Sequence, residues 1–486
     1  MTVETIDTRT EARRVATLAT LDPARQAELG QFFTPVRAAD LIASFLRLDN
    51  LPRQVRVLDP GAGIGSLSVA LVRRLHAERP DVAVHVVASE LDPAVLPGLN
   101  ATLTELGDAT GATFEVVEGD IIQLAAAGDP RVATGFDLVI QNPPYGKLAA
   151  NDSGRRSLRN AVGVDVPNAY AAFWALGVSA LREGGQCVAI VPRSWANGAY
   201  FAGFRRWLLE RVRLDVLHVF ESRSTVFADT GVLQENVIVS ATRGGQEHDI
   251  TLSASVGHHD ETVTKTVPAD VVVQPSDPHQ FVRFTDGATQ APAAAHYTLS
   301  DLGLSVSTGR VVDFRSRQWL SMTPEHGTAP MAYQANVRNG EVVWPRDAVA
   351  KPQHFRATEE AARKLLVPAG VYVLIKRFSA KEERRRVVAG VWDGPEVAFD
   401  NKTNYIHADG AGLERDLARG LMVWLNSTAL DEVFRTFSGH TQVNATDLRV
   451  LPFPSREHLV VLGHAISGEL PDQDLIDKTV AAVLEA

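Results

Sequence analysis

A glycine-rich turn directly follows an apolar segment near residue 60 and is suited to ligand binding. Its sequence is Val57-Leu58-Asp59-Pro60-Gly61-Ala62-Gly63-Ile64-Gly65. Glycines let the backbone pass close to a ligand, and the first amides of the following helix offer hydrogen-bond donors. The third glycine of a G-x-G-x-x-G fingerprint is absent, because Ser66 occupies that position, and no lysine completes a P-loop. A dehydrogenase is therefore the least favoured function for this turn.

Acidic residues end the next two apolar segments. The second segment ends in Ser89-Glu90-Leu91-Asp92-Pro93, and the third in Glu118-Gly119-Asp120. A carboxylate at the tip of the second strand is placed to accept hydrogen bonds from both hydroxyls of a ribose. Asp120 is suited to accept from an adenine amino group. The alternative for each acid is a turn or helix-cap residue.

The fourth apolar segment runs into Asn142-Pro143-Pro144-Tyr145-Gly146. Two consecutive prolines fix the φ angles and remove two N–H donors, so the carbonyl oxygens of this turn serve as acceptors. Asn142 adds a side-chain oxygen acceptor and Tyr145 adds an aromatic face. This combination suits a planar ring that bears an exocyclic NH₂ group.

These motifs need a scaffold of strands, and the first half of the chain predicts one. Short Val- and Ile-rich runs alternate with helical patterns such as Leu67–Arg79 and Asn168–Arg182. Near-continuous apolar strands separated by helices predict a parallel sheet covered on both faces, which is a doubly wound α/β fold. The seven predicted strands are Val55–Leu58, Val82–Ala88, Phe114–Val117, Phe136–Ile140, Gln186–Val191, Leu214–Phe220 and Asn236–Ser240.

The second half of the chain has a different pattern. Residues 246–297 hold short alternating runs without a clear assignment, and Asp286–Ala295 has the composition of a linker. Beyond it, strands and a helix predict a mixed α+β domain; they are Val371–Arg377, Arg386–Trp392, Glu396–Phe399 and helical Leu413–Asn426. We therefore predict two domains, residues 16–295 and 298–486.

Composition narrows the class of protein. The chain has 486 residues, 45% of them hydrophobic, and a net charge of −10, which argues against a histone-like binder but allows a local basic cleft. The single cysteine, Cys187, suits a reducing cytoplasm. No apolar run is long enough for a membrane helix, and no metal-binding motif stands out. His258-His259-Asp260 lies in a polar segment and is interpreted as a solvated loop.

The order of the motifs resembles the gamma-class amino-methyltransferases of DNA, the N6-adenine enzymes of restriction–modification systems. It begins with Gly30-Gln31-Phe32-Phe33-Thr34-Pro35 and continues through the turns described above to Asn-Pro-Pro-Tyr-Gly. The resemblance covers residues 28–242 in detail. In the C-terminal half, Leu302–Arg317 and Phe437–Pro454 resemble target-recognition domains in style. It implies a Rossmann-like, seven-stranded methyltransferase sheet followed by a target-recognition domain.

The resemblance implies S-adenosylmethionine as the cofactor, without a metal. Thr34, before a predicted helix at Pro35–Leu46, is then expected to bind the methionine carboxylate; a plain helix cap is the alternative. Asp59 and the backbone of Gly61 and Gly63 are expected to hold the methionine moiety. Glu90 is expected to bind the ribose and Asp120 the adenine amino group.

The same resemblance implies how the target base is held. Asn142 and the Pro143 carbonyl are expected to accept hydrogen bonds from the N6 amine of an adenine flipped out of double-stranded DNA, with Tyr145 stacked on the base. Two acceptors on the amine hydrogens favour a pyramidal nitrogen whose lone pair attacks the sulfonium methyl in line. A second aromatic residue is expected opposite Tyr145. Phe227 occupies the matching place, and Phe220 lies close enough in the sequence to keep that assignment open.

Two basic regions are predicted to contact DNA phosphates, although a charge run is also typical of a solvated face. The first is the loop-like stretch Gly146–Pro167 beside the active site. The second lies at strand ends in the C-terminal half. The predicted contacts are Lys147, Arg155, Arg156, Lys376, Arg377, Lys381, Arg384, Arg385 and Arg386. A separately encoded restriction endonuclease is a further expected partner.

Two other functions stay open at this point. One is an Asn-Pro-Pro-Tyr methyltransferase that acts on a protein glutamine or on RNA, although those families lack the Phe-Phe-Thr-Pro element and the large C-terminal region. The other is a catalytically idle DNA-specificity subunit.

Overall fold

A computed structural model describes most of the chain. The described residues are 3–148, 153–166, 168–220, 235–245, 248–258, 260–379, 383–438, 441–466 and 468–485. They form two compact units, residues 1–286 and 287–486. The division falls at the start of Asp286–Ala295, the segment with linker composition. The first unit begins earlier than the predicted boundary at residue 16.

A nine-stranded sheet forms the centre of the described part of the first unit. Its order is β3-β2-β1-β4-β5-β7-β6-β8-β9, and β7 runs antiparallel to its neighbours β5 and β6. All seven predicted strands are confirmed, and β8 and β9 extend the sheet from the segment left unassigned above. The strands are β1 Gln54–Pro60, β2 Ala83–Glu90, β3 Thr113–Glu118, β4 Phe136–Gln141, β5 Leu181–Pro192, β6 Val212–Phe220, β7 Asn236–Arg243, β8 Ile250–Ser255 and β9 Val263–Val267.

Helices cover both faces of this sheet. Successive residues of a strand point to opposite faces, so Val57 packs in one core with Leu71, whereas Leu58 packs in the other with Trp174. This two-sided burial confirms the doubly wound α/β fold. The helices are α1 Val3–Thr20, α2 Pro23–Leu29, α3 Val36–Ser44, α4 Ser66–Glu78, α5 Leu96–Thr110, α6 Ile121–Ala126, α7 Pro130–Ala133, α8 Ser153–Val162, α9 Ala169–Ala180, α10 Ala202–Leu209 and α11 Ala269–Val272.

The N-terminal helix belongs to this unit. On α1, the Arg13 guanidinium donates to the Thr102 hydroxyl and to the Glu105 carboxylate of α5, each over 2.9 Å. The domain boundary predicted at residue 16 therefore cuts through a helix that is tied to the fold.

Two predicted boundaries differ from the structure. The helix predicted over Asn168–Arg182 ends at Ala180, and β5 begins at Leu181, whose backbone is already extended. Gly184 then turns within the strand, at a φ of 77°. The stretch Gly146–Pro167 is not wholly a loop, because it contains α8, which Leu158 anchors in the core with no exposed surface.

The second unit is a mixed α+β structure, as predicted. Its described strands form sheets of six (β11-β21-β18-β19-β15-β14), five (β12-β16-β13-β20-β17) and two (β10-β22). They are β10 Ala295–Tyr297, β11 Ser305–Thr308, β12 Leu320–Ser321, β13 Thr328–Ala332, β14 Val337–Arg338, β15 Glu341–Val342, β16 His354–Arg356, β17 Leu366–Val367, β18 Gly370–Lys376, β19 Ala389–Gly394, β20 Val397–Phe399, β21 Thr403–His407 and β22 Phe453–Pro454. The helices are α12 Glu360–Arg363, α13 Arg415–Leu425, α14 Thr428–Phe437, α15 Ala445–Val450, α16 Arg456–Ala465 and α17 Gln473–Leu484.

The strand predicted over Arg386–Trp392 starts three residues later, at Ala389. The arginines 384–386 therefore precede the strand. Among the residues described here, no helix is long and apolar enough to cross a membrane.

Candidate active site

An open cavity of about 790 Å³ lies at the carboxyl ends of four neighbouring strands, β3, β2, β1 and β4. In open α/β sheets this edge is where ligands bind, at the point where the strand order reverses. The predicted site residues that line it are Thr34, Gly61, Gly63, Glu90, Asp120 and Asn142. The structure therefore brings together residues from five separate motifs.

The glycine-rich turn forms one wall of the cavity. Gly61 and Gly63 have positive φ angles of 71° and 58°, which strain any residue with a side chain. A Cβ on Gly63 would lie 2.8 Å from the ring of Phe33, and a Cβ on Gly61 would lie 3.2 Å from Phe173. The turn is thus pressed against aromatic residues from two other elements, and only glycine fits there.

Glu90 ends β2 and is 7% exposed. One carboxylate oxygen accepts the Gly63 N–H at 2.9 Å, and the other accepts the Asp92 N–H at 2.8 Å. Burial raises the pKa of Glu90, and the hydrogen bonds from these backbone amides oppose that shift. The side chain therefore holds the glycine turn in place as well as facing the cavity, a second role that sequence analysis did not predict.

Asp120 is both a helix-cap residue and a residue of the cavity wall. One carboxylate oxygen accepts the Ile122 N–H at 2.9 Å and so caps α6. The side chain also lines the cavity, and its second oxygen has no hydrogen-bond partner among the described residues. A helix cap and a ligand acceptor are compatible at this position.

Asp59 is buried behind the glycine-rich turn, and its expected contact with the methionine moiety stays a prediction. Its side chain has no exposed surface and is not part of the cavity wall. One oxygen accepts from the Ser68 hydroxyl at 2.6 Å, at the start of α4. Burial raises the pKa of Asp59 to about 7, although the bond from Ser68 opposes the shift. Asp59 thus links the end of β1 to α4, and its second carboxylate oxygen is buried without a hydrogen-bond partner among the described residues.

The orientation of the Asn142 carboxamide is determined by the Phe-Phe-Thr-Pro element. Its NH₂ group donates to the Phe32 carbonyl at 2.9 Å and to the Thr34 hydroxyl at 3.0 Å. Because both amide hydrogens are used, the remaining group of the side chain is the oxygen, which accepts from the Tyr145 hydroxyl at 3.3 Å. Asn142 therefore presents an acceptor, as predicted, but its link to the earlier motif was missed.

Thr34 is 5% exposed and lines the cavity beside Asn142. It is not the cap of α3, because Pro35 occupies the cap position and makes no side-chain bond there. While the hydroxyl oxygen accepts from Asn142, its hydrogen stays available to an acceptor. The plain-cap alternative for Thr34 is therefore wrong.

The aromatic predictions have mixed outcomes. Tyr145 is half-buried, with ring centroids 6.4 Å from both Phe32 and Tyr170, and burial raises the pKa of its phenol. Phe220 is 4% exposed and packs in the core against His218, so it cannot stack on a ligand. Phe227 lies outside the described residues, and its role stays a prediction.

The basic residues of the stretch 146–167 differ in exposure and in ion pairing. Lys147 and Arg156 are exposed. Arg155 forms two hydrogen bonds of 2.7 Å with the Asp165 carboxylate, so part of its charge is already balanced. Their predicted DNA contacts stay predictions.

In the second basic region, the prediction that Arg386 contacts a DNA phosphate is wrong. Arg386 is 1% exposed, donates to the Ser379 hydroxyl at 3.1 Å and lies 5.4 Å from the Phe434 ring centroid, so it is a core residue and cannot reach a phosphate. Arg385 donates to the Asn426 carbonyl, and burial lowers its pKa.

The other basic residues of this second region differ in burial and in hydrogen-bond partners. Burial lowers the pKa of Lys376, and Arg377 donates to the Asn401 carbonyl at 3.0 Å. Arg384 is exposed, and Lys381 lies outside the described residues. Exposure alone leaves Arg384 as the best surface candidate of this set.

Several cavity residues were missed by sequence analysis. Phe173 on α9 belongs to a run of apolar residues that reads as core, and Ser89 carries no motif signal of its own. Both line the cavity, and the Ser89 hydroxyl accepts the Gly61 N–H at 3.3 Å. In the part of the chain that the structure describes, no group of three His, Cys, Asp or Glu side chains could hold a metal.

The strand order, the antiparallel β7 and the cavity built on Asn142 define a Rossmann-like methyltransferase fold. The family model "Eco57I restriction-modification methylase" matches residues 109–227. The chain is 38% identical to the Type II methyltransferase M.BsuBI of Bacillus subtilis, over 90% of each chain. It is 37% identical to M.PstI of Providencia stuartii, over 97% of this chain and 96% of that one. The chain therefore belongs to the gamma-class DNA methyltransferases of restriction–modification systems.

Solved structures agree on the fold. The Type IIL restriction-modification enzyme MmeI, solved in complex with DNA, aligns with a TM-score of 0.58 and 12% identity, over 89% of this chain and 70% of that one. At that identity the likeness concerns the fold alone.

Proposed function

We propose that this chain transfers the methyl group of S-adenosylmethionine to N6 of an adenine flipped out of double-stranded DNA. It would serve as the modification component of a restriction–modification system, beside a separately encoded endonuclease. The family establishes a DNA methyltransferase. The cofactor, the target atom and the flipped base are our inferences from the site.

The cavity residues fit S-adenosylmethionine. The turn at Gly61–Gly65 leaves a cradle that side chains would fill, and this cradle opens into the cavity at the strand ends. Glu90 and Asp120 supply carboxylate acceptors for hydroxyl and amino groups at the tips of adjacent strands. The Thr34 hydroxyl would donate to the methionine carboxylate. When bound, the cofactor supplies an electrophilic methyl group on a sulfonium.

The orientation of Asn142 carries the proposal for the acceptor substrate. With its NH₂ group bonded to Phe32 and Thr34, the side chain offers an oxygen to an incoming amine. The Pro143 carbonyl would be the second acceptor, and two acceptors on the amine hydrogens keep the nitrogen lone pair available for attack. This is catalysis by positioning and preorganised electrostatics. Tyr145 and Phe227 would hold the base between them.

Analysis of DNA from cells that express this chain tests the proposal. We expect N6-methyladenine by mass spectrometry of nucleosides, and its loss with Asn142→Ala. Asn100→Ala is the matched control, because Asn100 bonds only to the Leu96 carbonyl of its own exposed helix surface. N4-methylcytosine in place of N6-methyladenine would reject the target atom. Labelling of RNA or a protein glutamine instead would reject the substrate.

The endonuclease partner has a separate test. DNA modified by this chain should resist a nuclease that cuts the same site, while DNA from cells with the Asn142→Ala variant should be cut. If modified DNA is cut as readily, the chain is not the protective partner of that nuclease.

A further inference from the structure

We infer that residues 313–318 of the second unit read base edges of the DNA target. This inference rests on the proposed function only in taking duplex DNA as the substrate. The segment has the sequence Asp313-Phe314-Arg315-Ser316-Arg317-Gln318 and comprises most of two short 3₁₀ turns between β11 and β12. No basic residue in it was among the predicted DNA contacts.

The segment presents an unusual set of exposed side chains. Phe314 is 62% exposed, and the Arg315 guanidinium lies 5.4 Å from its ring centroid. Arg317 and Gln318 are also exposed, whereas Ser316 between them is buried. Covering Phe314 with a partner would remove its apolar surface from water, which is favourable.

The arginines are free to bind a partner. Other arginines of this unit are already paired, as Arg356 is with Glu325 and Arg415 with Asp393. By contrast, the guanidinium groups of Arg315 and Arg317 have no hydrogen bond or ion pair with any residue that the structure describes. The one acid of the segment, Asp313, already pairs with Lys351 at 2.8 Å. The segment is therefore locally positive in a chain of net charge −10.

Both ends of the segment are anchored. Before it, Val311 is fully buried and exchanges backbone hydrogen bonds with Phe399 (3.0 Å) and Asn401 (2.8 Å). A Cβ on Gly309 would lie 2.1 Å from the Asp400 carbonyl oxygen, so the chain is tightly packed there. After it, the Trp319 ring meets Phe355 edge-on, with centroids 6.1 Å apart.

This combination fits base reading better than phosphate contact alone. Arginine bonds in a bidentate way to guanine O6 and N7, glutamine to adenine N6 and N7, and an apolar ring can wedge against a base step. A rigidly held segment loses little conformational freedom on binding. Phosphate contact would need the arginines but would have no use for an exposed Phe314.

A binding experiment that involves no methyl transfer tests the inference. Wild-type protein, with S-adenosylhomocysteine present, is used to enrich its preferred sequence from a pool of randomised duplexes. Affinity is then measured for the enriched duplex and for a scrambled duplex of the same composition. For Arg317→Ala and Phe314→Ala we expect a loss of about tenfold or more on the enriched duplex, and a loss below about threefold on the scrambled one.

Two matched variants control for charge and apolar surface. Arg338 is exposed, and its guanidinium has no hydrogen bond or ion pair with any described residue, but it lies on β14, at the opposite edge of the sheet from β11. Met322 is 64% exposed, close to the value of Phe314. Arg338→Ala and Met322→Ala should leave both affinities within about threefold of wild type. Thermal unfolding of every variant checks that each one folds.

Three results would overturn the inference. They are equal losses on both duplexes, losses no larger than those of the controls, and failure of the wild type to enrich any sequence. Because no methylation is measured, a target base other than adenine would reject the proposed function and leave this inference intact.

Discussion

At the scale of single residues, Thr34 links the two halves of the proposed reaction. Its hydroxyl oxygen accepts from Asn142, and its hydrogen stays available to an acceptor in the cavity that Thr34 lines. Thr34→Val keeps the shape but leaves an amide hydrogen of Asn142 unpaired. We expect methyl transfer at saturating substrates to slow by about tenfold, equivalent to about 1.4 kcal/mol, within the usual range for one hydrogen bond.

Thr34→Ser is the control for that variant, because it restores the hydroxyl without the methyl group. Single-turnover rates should return to near the wild-type value. If the serine variant is as slow as the valine variant, packing by the threonine methyl group matters and the hydrogen bond does not.

The raised pKa of the Asp59 carboxyl group predicts that the stability of the protein depends on pH. Burial raises its pKa from 3.8 to about 7, so the folded protein keeps this proton over a range in which the unfolded chain releases it. The free energy of unfolding should therefore fall as pH rises from about 4 to about 7, by up to about 4 kcal/mol from this group. Below pH 4 both states are protonated, and the contribution is constant.

Asp59→Asn removes this titration. Urea unfolding at several pH values should show the variant gaining stability relative to wild type between pH 4 and 7. A difference that stays constant across this range would mean that Asp59 is ionised in the folded protein.

At the scale of elements, two glycines allow the cost of backbone strain to be measured separately from the cost of steric overlap. Gly63 and Gly128 both have positive φ angles, 58° and 73°. A Cβ at Gly63 would lie 2.8 Å from Phe33, whereas a Cβ at Gly128 has nothing within 4 Å. Gly128→Ala should cost only the backbone strain, about 1–2 kcal/mol.

Gly63→Ala should cost more than that and should also weaken S-adenosylmethionine binding, because the wall of the cavity must move. Thermal unfolding and calorimetric titration of both variants measure the two effects. Equal stability losses and equal affinities in the two variants would show that the turn adapts without moving Phe33.

The elements also show what a sequence can and cannot predict. The seven strands of the first sheet were predictable because each is a short apolar run that ends in a turn. The strands β8 and β9 were not assigned, since β9 has four exposed residues out of five and lacks an apolar signal.

Contacts between residues far apart in the sequence were the other feature that sequence analysis could not predict. Arg386 is covered by Phe434, which lies 48 positions later on α14, and no local pattern reports that burial. The bonds from Asn142 to Phe32 and Thr34 likewise join motifs more than 100 residues apart. Local motifs identified the residues of the site, and only the fold showed how they orient one another.

At the scale of the whole molecule, the chain divides into two compact units, and the division coincides with a segment of distinct composition. Residues 286–295 are Asp-Gly-Ala-Thr-Gln-Ala-Pro-Ala-Ala-Ala. The structure assigns no helix or strand between residues 283 and 294, and residues 288–290 are exposed. Segments of this kind between compact units are preferred sites of proteolysis.

Elastase cleaves after small residues, so limited digestion should first cut the chain between residues 286 and 295. We expect two lasting fragments that correspond to the two units, identified by mass spectrometry of intact chains. Trypsin is the control, because this segment contains no lysine or arginine and its early cuts must fall elsewhere. If elastase first cuts inside either unit, the segment is protected in the folded protein and does not behave as a linker.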